Sequence, residues 1–438
     1  MLLSRRALLR GGLATGALLW ALPSQACTPA PPTRDDRVRL EFWAFSETRI
    51  WWQKKAHELY KQRVNPKLEI DWIVLPYGQM HDKLLIAAEA GAGGPDIADV
   101  EISQFSKFLK GRTNFVPLND AVQAMGGTDK LYTASATDPW SWKGVIYGLG
   151  NELNTCLLAY RWDIFDQYGI KTPIQTWQEF AEVGKRLKEA SRGEVALADF
   201  PDQSWGIWWM MTLQQGGGFF NSEGWPIINN EKGVRTLDYH QRAVYEDKWA
   251  IITPIGPAYN TALAAGKIAT QLGPSWRFSG FMRQAVAQTK GKWMLQPFPR
   301  WEPDGSRTAT WGGTGVCVVR DSFYRDAAVA FVVWEHMTPE AVLFDFEKRN
   351  VWPTLKPAWS DPRLTEPIDF FNNQRVGEVI REVSPEIPKW YNSPFWAEVT
   401  DATVRVGITP AMQGRVPAKQ ALDAAYEEAM RVIRAQIA

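Results

Sequence analysis

The sequence predicts an α/β fold organised as two domains. Three observations carry this. Strand-like alternation and helix-like spacing take turns from Val38 onward; a chain of 438 residues favours two domains over one; and 45% hydrophobic with 22% charged residues is an ordinary supply for large cores. Strands that alternate with helices form a mostly parallel sheet covered by helical crossovers.

Val38-Arg39-Leu40-Glu41-Phe42-Trp43 alternates as a strand does. Glu47 to Arg63 has helical spacing and stops before Asn65-Pro66. Leu68 to Leu75 reads as a second strand, Met80 to Glu89 as a second helix ending at Gly91, and Pro95 to Val100 as a third strand. The texture changes at Gly144 to Leu149. Trp177 to Ala190 is a helix entered through Thr176, an oxygen-bearing cap. Residues 200 to 230 are rich in Trp, Gly and Asn and read as loops around a short helix. Gly233 to Lys248 is a further helix, and Pro357 to Pro367 a proline-punctuated connection. Ala418 to Ile437 is a long amphipathic closing helix. Asp326 and Glu335 fence the apolar run Ala327 to Trp334, which marks it as a buried helix rather than a membrane span.

Composition excludes several functions. The net charge is +1 with Lys and Arg spread along the chain, so nucleic acid is not an expected partner. The four histidines, His57, His81, His240 and His336, are scattered, and no Cys/His cluster has metal spacing. No metal or cofactor is expected. Cys156 and Cys317 read as independently buried thiols. The outlier is tryptophan, with 23 residues. Flat apolar rings suit the C–H face of a sugar, so this number points to a carbohydrate-binding surface as well as to a core.

The first 26 residues read as an export signal: Arg5-Arg6 followed by leucines, an apolar middle from Leu13 to Leu22, and a small-residue cleavage site at Ser24-Gln25-Ala26. The paired arginines point to the twin-arginine route. Cys27 is the candidate lipidated N-terminus, which would anchor the protein to a bacterial membrane. Ordinary cleavage to a soluble periplasmic form is the alternative. Residues 27–37 are rich in Pro and charge and read as a tether.

Several strings occur in an informative order: Gly94-Pro95-Asp96-Ile97; Tyr147-Gly148-Leu149 before Asn154 and Tyr160; Asp163-Ile164-Phe165 leading to Thr176-Trp177 and Glu179-Phe180; Gly266-Lys267-Ile268-Ala269 leading to Gly273-Pro274-Ser275-Trp276; Gly312-Gly313-Thr314-Gly315; and Pro417-Ala418 with Ala421-Leu422. In these strings, from about Val38 to the C-terminus, the chain resembles the extracellular solute-binding proteins of ABC importers, in the group that includes maltodextrin-binding proteins. The resemblance implies a two-lobe periplasmic-binding-protein fold with three hinge crossings and a cleft between the lobes. The lobes would be 38–149 plus 315–357 and 150–314 plus 358–438. It implies a monomeric, non-enzymatic partner of importer membrane subunits that takes a neutral sugar or glycoside. Di- and oligosaccharides, trehalose, sucrose and glucosylglycerol are the candidate ligands. Two rivals stand beside it: the same fold with a non-sugar solute, and an anchored glycoside-cleaving enzyme, for which Glu47, Glu152 and Asp202 are the available carboxylates.

The same resemblance nominates the binding residues. Ser46 and Glu47 end the first strand, where a polar group meets sugar hydroxyls; Glu47 alternatively favours the start of its helix. Ser103 and Gln104 follow the third strand, and Glu152 and Asn154 follow the first crossing. Asp202, Trp205 and Trp209 lie on the tryptophan-rich segment. Trp276 is the foremost stacking candidate, with Trp396 second, Tyr391 nearby and Trp352 at the rim. Gly312, Gly313 and Thr314 are not a phosphate loop, lacking its Lys, and would instead let backbone pass close to ligand or bend at a hinge. Asp96 reads as structural. Cys156 and Cys317 flank two proposed crossings, where a bond between them would stiffen the hinge.

Overall fold

The computed structural model describes residues 37–253 and 256–437. The calls on Arg5-Arg6, the cleavage site and Cys27 lie outside the described residues. Val38–Ala438 forms one compact unit. The strands used below are β1 (Val38–Ala44), β2 (Leu68–Val74), β3 (Ile97–Glu101), β4 (Gly148–Gly150), β5 (Cys156–Arg161), β6 (Thr270–Pro274), β7 (Trp293–Gln296) and β8 (Thr314–Val318). The helices are α1 (Glu47–Arg63), α2 (Tyr77–Ala90), α3 (Trp177–Ala190), α4 (Gly206–Gln214), α5 (Glu231–Gln241), α6 (Arg325–Met337), α7 (Pro339–Arg349), α8 (Trp396–Ala402) and α9 (Ala418–Ile437).

Two sheets divide the molecule into two α/β lobes. The first has the order β2-β1-β3-β8-β4, and the second β6-β5-β7. In the first sheet β1 runs parallel to β2 and β3, whereas β8 is antiparallel to both β3 and β4. The expected parallel arrangement therefore holds for β1 to β3, and the sheet as a whole is mixed. Both pairings in the second sheet are antiparallel.

The alternation of β1 is used on both faces: Leu40, Phe42 and Ala44 enter one core, and Trp43 enters another with Ala98 and Val100. In β5, Leu157 and Ala159 face one core while Cys156, Leu158 and Tyr160 face the other. Cys156 and Cys317 are both free thiols buried in different cores, so the hinge-stiffening bond is absent.

Local signals set the helix ends. α3 begins at Thr176, whose side chain accepts the Glu179 N–H at 3.0 Å. α5 departs from expectation: regular helix stops at Gln241 and a wider π turn carries Arg242–Glu246. Asp96 is structural, as read: it accepts the Glu41 N–H at 2.7 Å and the Ser322 hydroxyl, tying β3 to the loop after β8.

Three segments pass between the sheets and bond to one another. Leu153 N–H donates to the Trp352 carbonyl at 2.9 Å, Thr354 N–H to Asn151 at 3.1 Å, and Cys156 N–H to Ala309 at 3.0 Å. These three strand-like passages connect the lobes.

All four histidines lie in helices. His240 is 3% exposed and stacks on Phe200 with ring centroids 4.1 Å apart. Burial pushes its pKa down to about 3, and burial pushes that of His336 down to about 4. Both titrate near 6.5 in an unfolded chain. The unfolded state therefore binds more protons between these values, and the stability present above pH 6.5 is lost as the pH falls toward 4 and 3. Urea midpoints are expected to drop from pH 7 to pH 4, and His240→Leu should flatten part of that drop. Parallel pH profiles for the two proteins would count against this origin.

Candidate functional site

A cleft of about 910 Å³ opens at the junction of the two sheets and the three passages. That is within the range of small-molecule sites. Phe45 and Ser46 line it from the turn joining β1 to α1, Thr48 from the first turn of α1, and Glu101 from the end of β3. Trp276 and Phe281 line it from the segment after β6, and Lys348 and Arg349 from the last turn of α7.

The floor is a buried ion-pair network. Glu152 Oε1 accepts Arg49 Nη1 at 2.9 Å and Arg349 Nη1 at 2.9 Å. Arg49 also donates through Nε to Asp99 at 3.1 Å, and Gln53 donates to the same carboxylate at 3.3 Å. Arg349 forms a two-pronged pair with Asp345, both bonds 2.6 Å, and Asn151 donates to Asp345 at 3.1 Å. Burial alone would raise the Glu152 pKa, but the guanidiniums of Arg349 and Arg49 outweigh it and hold the carboxyl below the usual range. Glu152 thus meets the cleft as an anion already neutralised by two cations, which leaves its remaining acceptor capacity for a ligand hydroxyl.

A second polar cluster stands at the β3 edge. Glu101 accepts the Tyr77 hydroxyl at 3.0 Å and the Ser103 N–H at 2.9 Å, and Gln104 donates to the Tyr77 oxygen at 3.1 Å. Burial raises the Glu101 pKa. Phe45 packs edge-on against Tyr77 at 5.3 Å.

The aromatic wall is narrower than the tryptophan content implies. Trp276 is half-buried, donates Nε1–H to the Trp311 carbonyl at 3.0 Å, and meets Phe281 edge-on at 5.5 Å. Phe281 is 69% exposed into the cleft. Behind Trp276 the rings continue through Trp311 to Trp205 and then into a packed cluster of Trp209, Phe219, Trp390 and Trp396.

Of the residues nominated from sequence, Ser46, Glu152, Trp276, Gly312, Gly313 and Thr314 line this cleft. The others do not, each for a physical reason. Glu47 is exposed on the outer face of the first turn of α1, while Thr48 and Arg49 turn toward the cleft. Ser103 is turned to Glu101 and Gln104 to the Tyr77 oxygen, so both serve the polar cluster instead of the cleft lining. Asn154 is fully buried and donates to the Gly312 carbonyl at 3.0 Å, fixing the glycine turn. Gly312 and Gly313 have φ of +84° and +116°; a Cβ on Gly313 would lie 2.5 Å from Asn154 Nδ2. Both left-handed backbone and close approach therefore call for glycine.

Asp202 accepts Gln413 at 3.3 Å through its carboxylate and the Thr409 hydroxyl at 2.7 Å through its carbonyl, which turns it toward the 403–413 segment. Trp205 is half-buried behind Trp311. Trp209, Trp352 and Trp396 are at most 2% exposed and belong to cores. Trp352 Nε1–H donates to the Leu364 carbonyl at 2.9 Å. Tyr391 lines a separate cavity of about 510 Å³ beside Asp138 and Lys389. Of the three carboxylates a glycosidase reading would pair, only Glu152 lines the cleft. Among the described residues no group of His, Cys, Asp and Glu could hold a metal ion.

Arg49, Arg349, Tyr77, Glu101 and Phe281 were not legible as site residues. None sits in a motif, and the bonds of Arg49 and Arg349 to Glu152 span 103 and 197 positions.

Residues 46–334 match the family model of the bacterial extracellular solute-binding proteins. The chain belongs to this family. Its members are substrate-binding proteins that work outside the cytoplasm. Relatives span nearly the whole chain. An arabinooligosaccharide-binding protein of Bacillus subtilis is 29% identical over 413 residues, covering 90% of this chain and 92% of its own. A lactose-binding protein of Rhizobium radiobacter is 24% identical, covering 86% and 88%. Among solved structures, an extracellular solute-binding protein family 1 member superposes with a TM-score of 0.75 at 22% identity, covering 90% of this chain and 99% of that one. The galacto-N-biose/lacto-N-biose I-binding protein of Bifidobacterium longum, in complex with lacto-N-biose, superposes at 0.71 with 17% identity, covering 91% and 97%. These likenesses establish the two-lobe fold.

Proposed function

We propose that this family member captures an oligosaccharide in the cleft above Glu152 and delivers it to an ABC importer. One observation carries the reading: an aromatic pair, the half-buried Trp276 and the exposed Phe281, borders a floor of fixed polar and charged groups. A sugar ring offers one C–H face for such rings and edge hydroxyls for the floor. The names of the relatives, an arabinooligosaccharide-binding and a lactose-binding protein, support the ligand class. The lobes, divided at about residues 149, 314 and 357, would close over the ligand by bending the three passages. No bond is made or broken in this role. The protein would act as a monomer, exported through its twin-arginine signal and held to the membrane by lipid on Cys27. Mass spectrometry of the N-terminal peptide from a native host tests that anchor; an unmodified, downstream-cleaved terminus would refute it.

Titration with arabinotriose, lactose, maltotriose, trehalose and glucosylglycerol, followed by intrinsic fluorescence, tests the ligand class. Saturable binding with the sugar recovered intact is expected. Silence across a wide oligosaccharide panel would overturn the sugar reading, and recovery of cleaved sugar would overturn the non-enzymatic one. Phe281→Ala should change stability by no more than about 0.5 kcal/mol, as an exposed side chain does. It should nonetheless weaken sugar binding about fivefold, through the apolar area it no longer covers. Unchanged affinity would remove Phe281 from the binding face.

A further inference from the structure

We propose that the oligosaccharide taken by this cleft carries a carboxylate, as a uronic acid unit does, and that Arg283 and Lys348 receive it. The inference rests on the sugar reading and narrows it.

Charge around the cavity carries the argument. Five cations line it, Arg49, Arg283, Lys290, Lys348 and Arg349, against three carboxylates, Glu101, Glu152 and Asp369. Three of the cations are already neutralised. Arg49 and Arg349 are held by Glu152, Asp99 and Asp345, and Lys290 pairs with Asp369 at 2.6 Å. Among the described residues, neither Arg283 nor Lys348 has a carboxylate within 4.0 Å. Among the described residues the Arg283 guanidinium donates only to the Ser279 carbonyl at 3.4 Å, and it feels Asp369 at longer range. The Lys348 ammonium lies 5.5 Å from the centre of the Trp51 ring and, among the described residues, makes no side-chain hydrogen bond. Glu101 opposes them weakly: it is half-buried, its Oε2 already accepts Tyr77 and Ser103, and burial disfavours its charged form.

In open water such cations need no partner. A ligand that fills the cleft strips their water, and neutral hydroxyls return weaker hydrogen bonds than an anion does. Position reinforces this. Arg283 lies two residues beyond Phe281 on the segment that also presents Trp276, so one stretch of chain supplies an apolar platform and a cation beside it. A hexuronic acid has that division, with an apolar ring face and a carboxylate at one edge. Lys348 comes from the other lobe, at the end of α7, so the two cations would meet the carboxylate from both sides of the cleft.

The test is calorimetric titration of the purified protein with trigalacturonate and a glucuronate-bearing xylotriose, with the methyl ester of each, and with neutral arabinotriose and maltotriose. One acid is expected to bind about tenfold tighter than its ester, the mark of a charge-assisted contact. That preference should shrink at high salt. Arg283→Gln and Lys348→Gln should each bring the acid-to-ester ratio toward one; the exposed Lys348 variant keeps the test usable if the Arg283 variant misfolds. If a neutral oligosaccharide binds and no acid exceeds its ester, the inference fails and the sugar reading stands. If no saccharide binds at all, the sugar reading falls and takes the inference with it.

Discussion

Arg49→Met is expected to lower the unfolding free energy by about 3–5 kcal/mol, the usual result of removing one partner from a buried ion pair. Arg49 is 4% exposed and is shared between Asp99, which is fully buried, and Glu152. Methionine keeps the length and apolar stem of the side chain but leaves Asp99 with only Gln53 as a side-chain donor. Uncompensated charge in a region of low polarisability is the source of the penalty. Arg49→Lys should fall between, because a single ammonium cannot present the fork that reaches both carboxylates. Urea denaturation monitored by circular dichroism measures both. A wild-type midpoint in Arg49→Met would show that the network is replaceable by packing and is not a fixed floor. A double-mutant cycle with Glu152→Gln would then isolate the direct coupling, which for touching charges is about 0.5–3 kcal/mol.

Trp396→Ala and Trp276→Ala should have opposite signatures. Trp396 is 1% exposed and touches Trp205, Trp209, Phe219, Phe220 and Trp390. Truncation leaves a cavity in that cluster and should cost about 3–5 kcal/mol of stability. Sugar affinity measured below the unfolding transition should change little. Trp276 borders the cleft, and a sugar covering one face of its ring hides roughly 80 Å² of apolar surface, worth about 2 kcal/mol or thirtyfold in affinity. Its stability loss should be smaller, because the ring is half-buried. If Trp396→Ala abolished binding without destabilising the fold, the assignment of the two rings would be reversed.

Much of the scaffold was legible because its signals are local. The α1 span from Glu47 to Arg63 follows from apolar spacing and the stop at Asn65-Pro66, and α9 from its amphipathic period. The Thr176 cap of α3 is a contact over three residues. The extension of α5 to Lys248 failed because helical spacing does not distinguish an α turn from a π turn. The candidate site was less legible. Ser46, Trp276 and the Gly312–Thr314 turn stood out through resemblance, whereas Glu47, Asp202, Trp209 and Trp396 had the right chemistry on the wrong side of their elements.

The sequence by itself determined the strands β1 to β3 and the helices α1, α2, α3 and α9, that the chain has the material for two α/β lobes, and that rings and carboxylates were available for a sugar. Those properties depend on periodicity and composition, which a linear string contains. Only the tertiary structure decided that Trp276 and Phe281 face the cleft while Trp209, Trp352 and Trp396 fill cores. It alone decided that Glu152 meets Arg49 across 103 positions and Arg349 across 197. A side chain's exposure and its ionic partners are set by which distant elements pack beside it, and that information enters only when the lobes close around their cores.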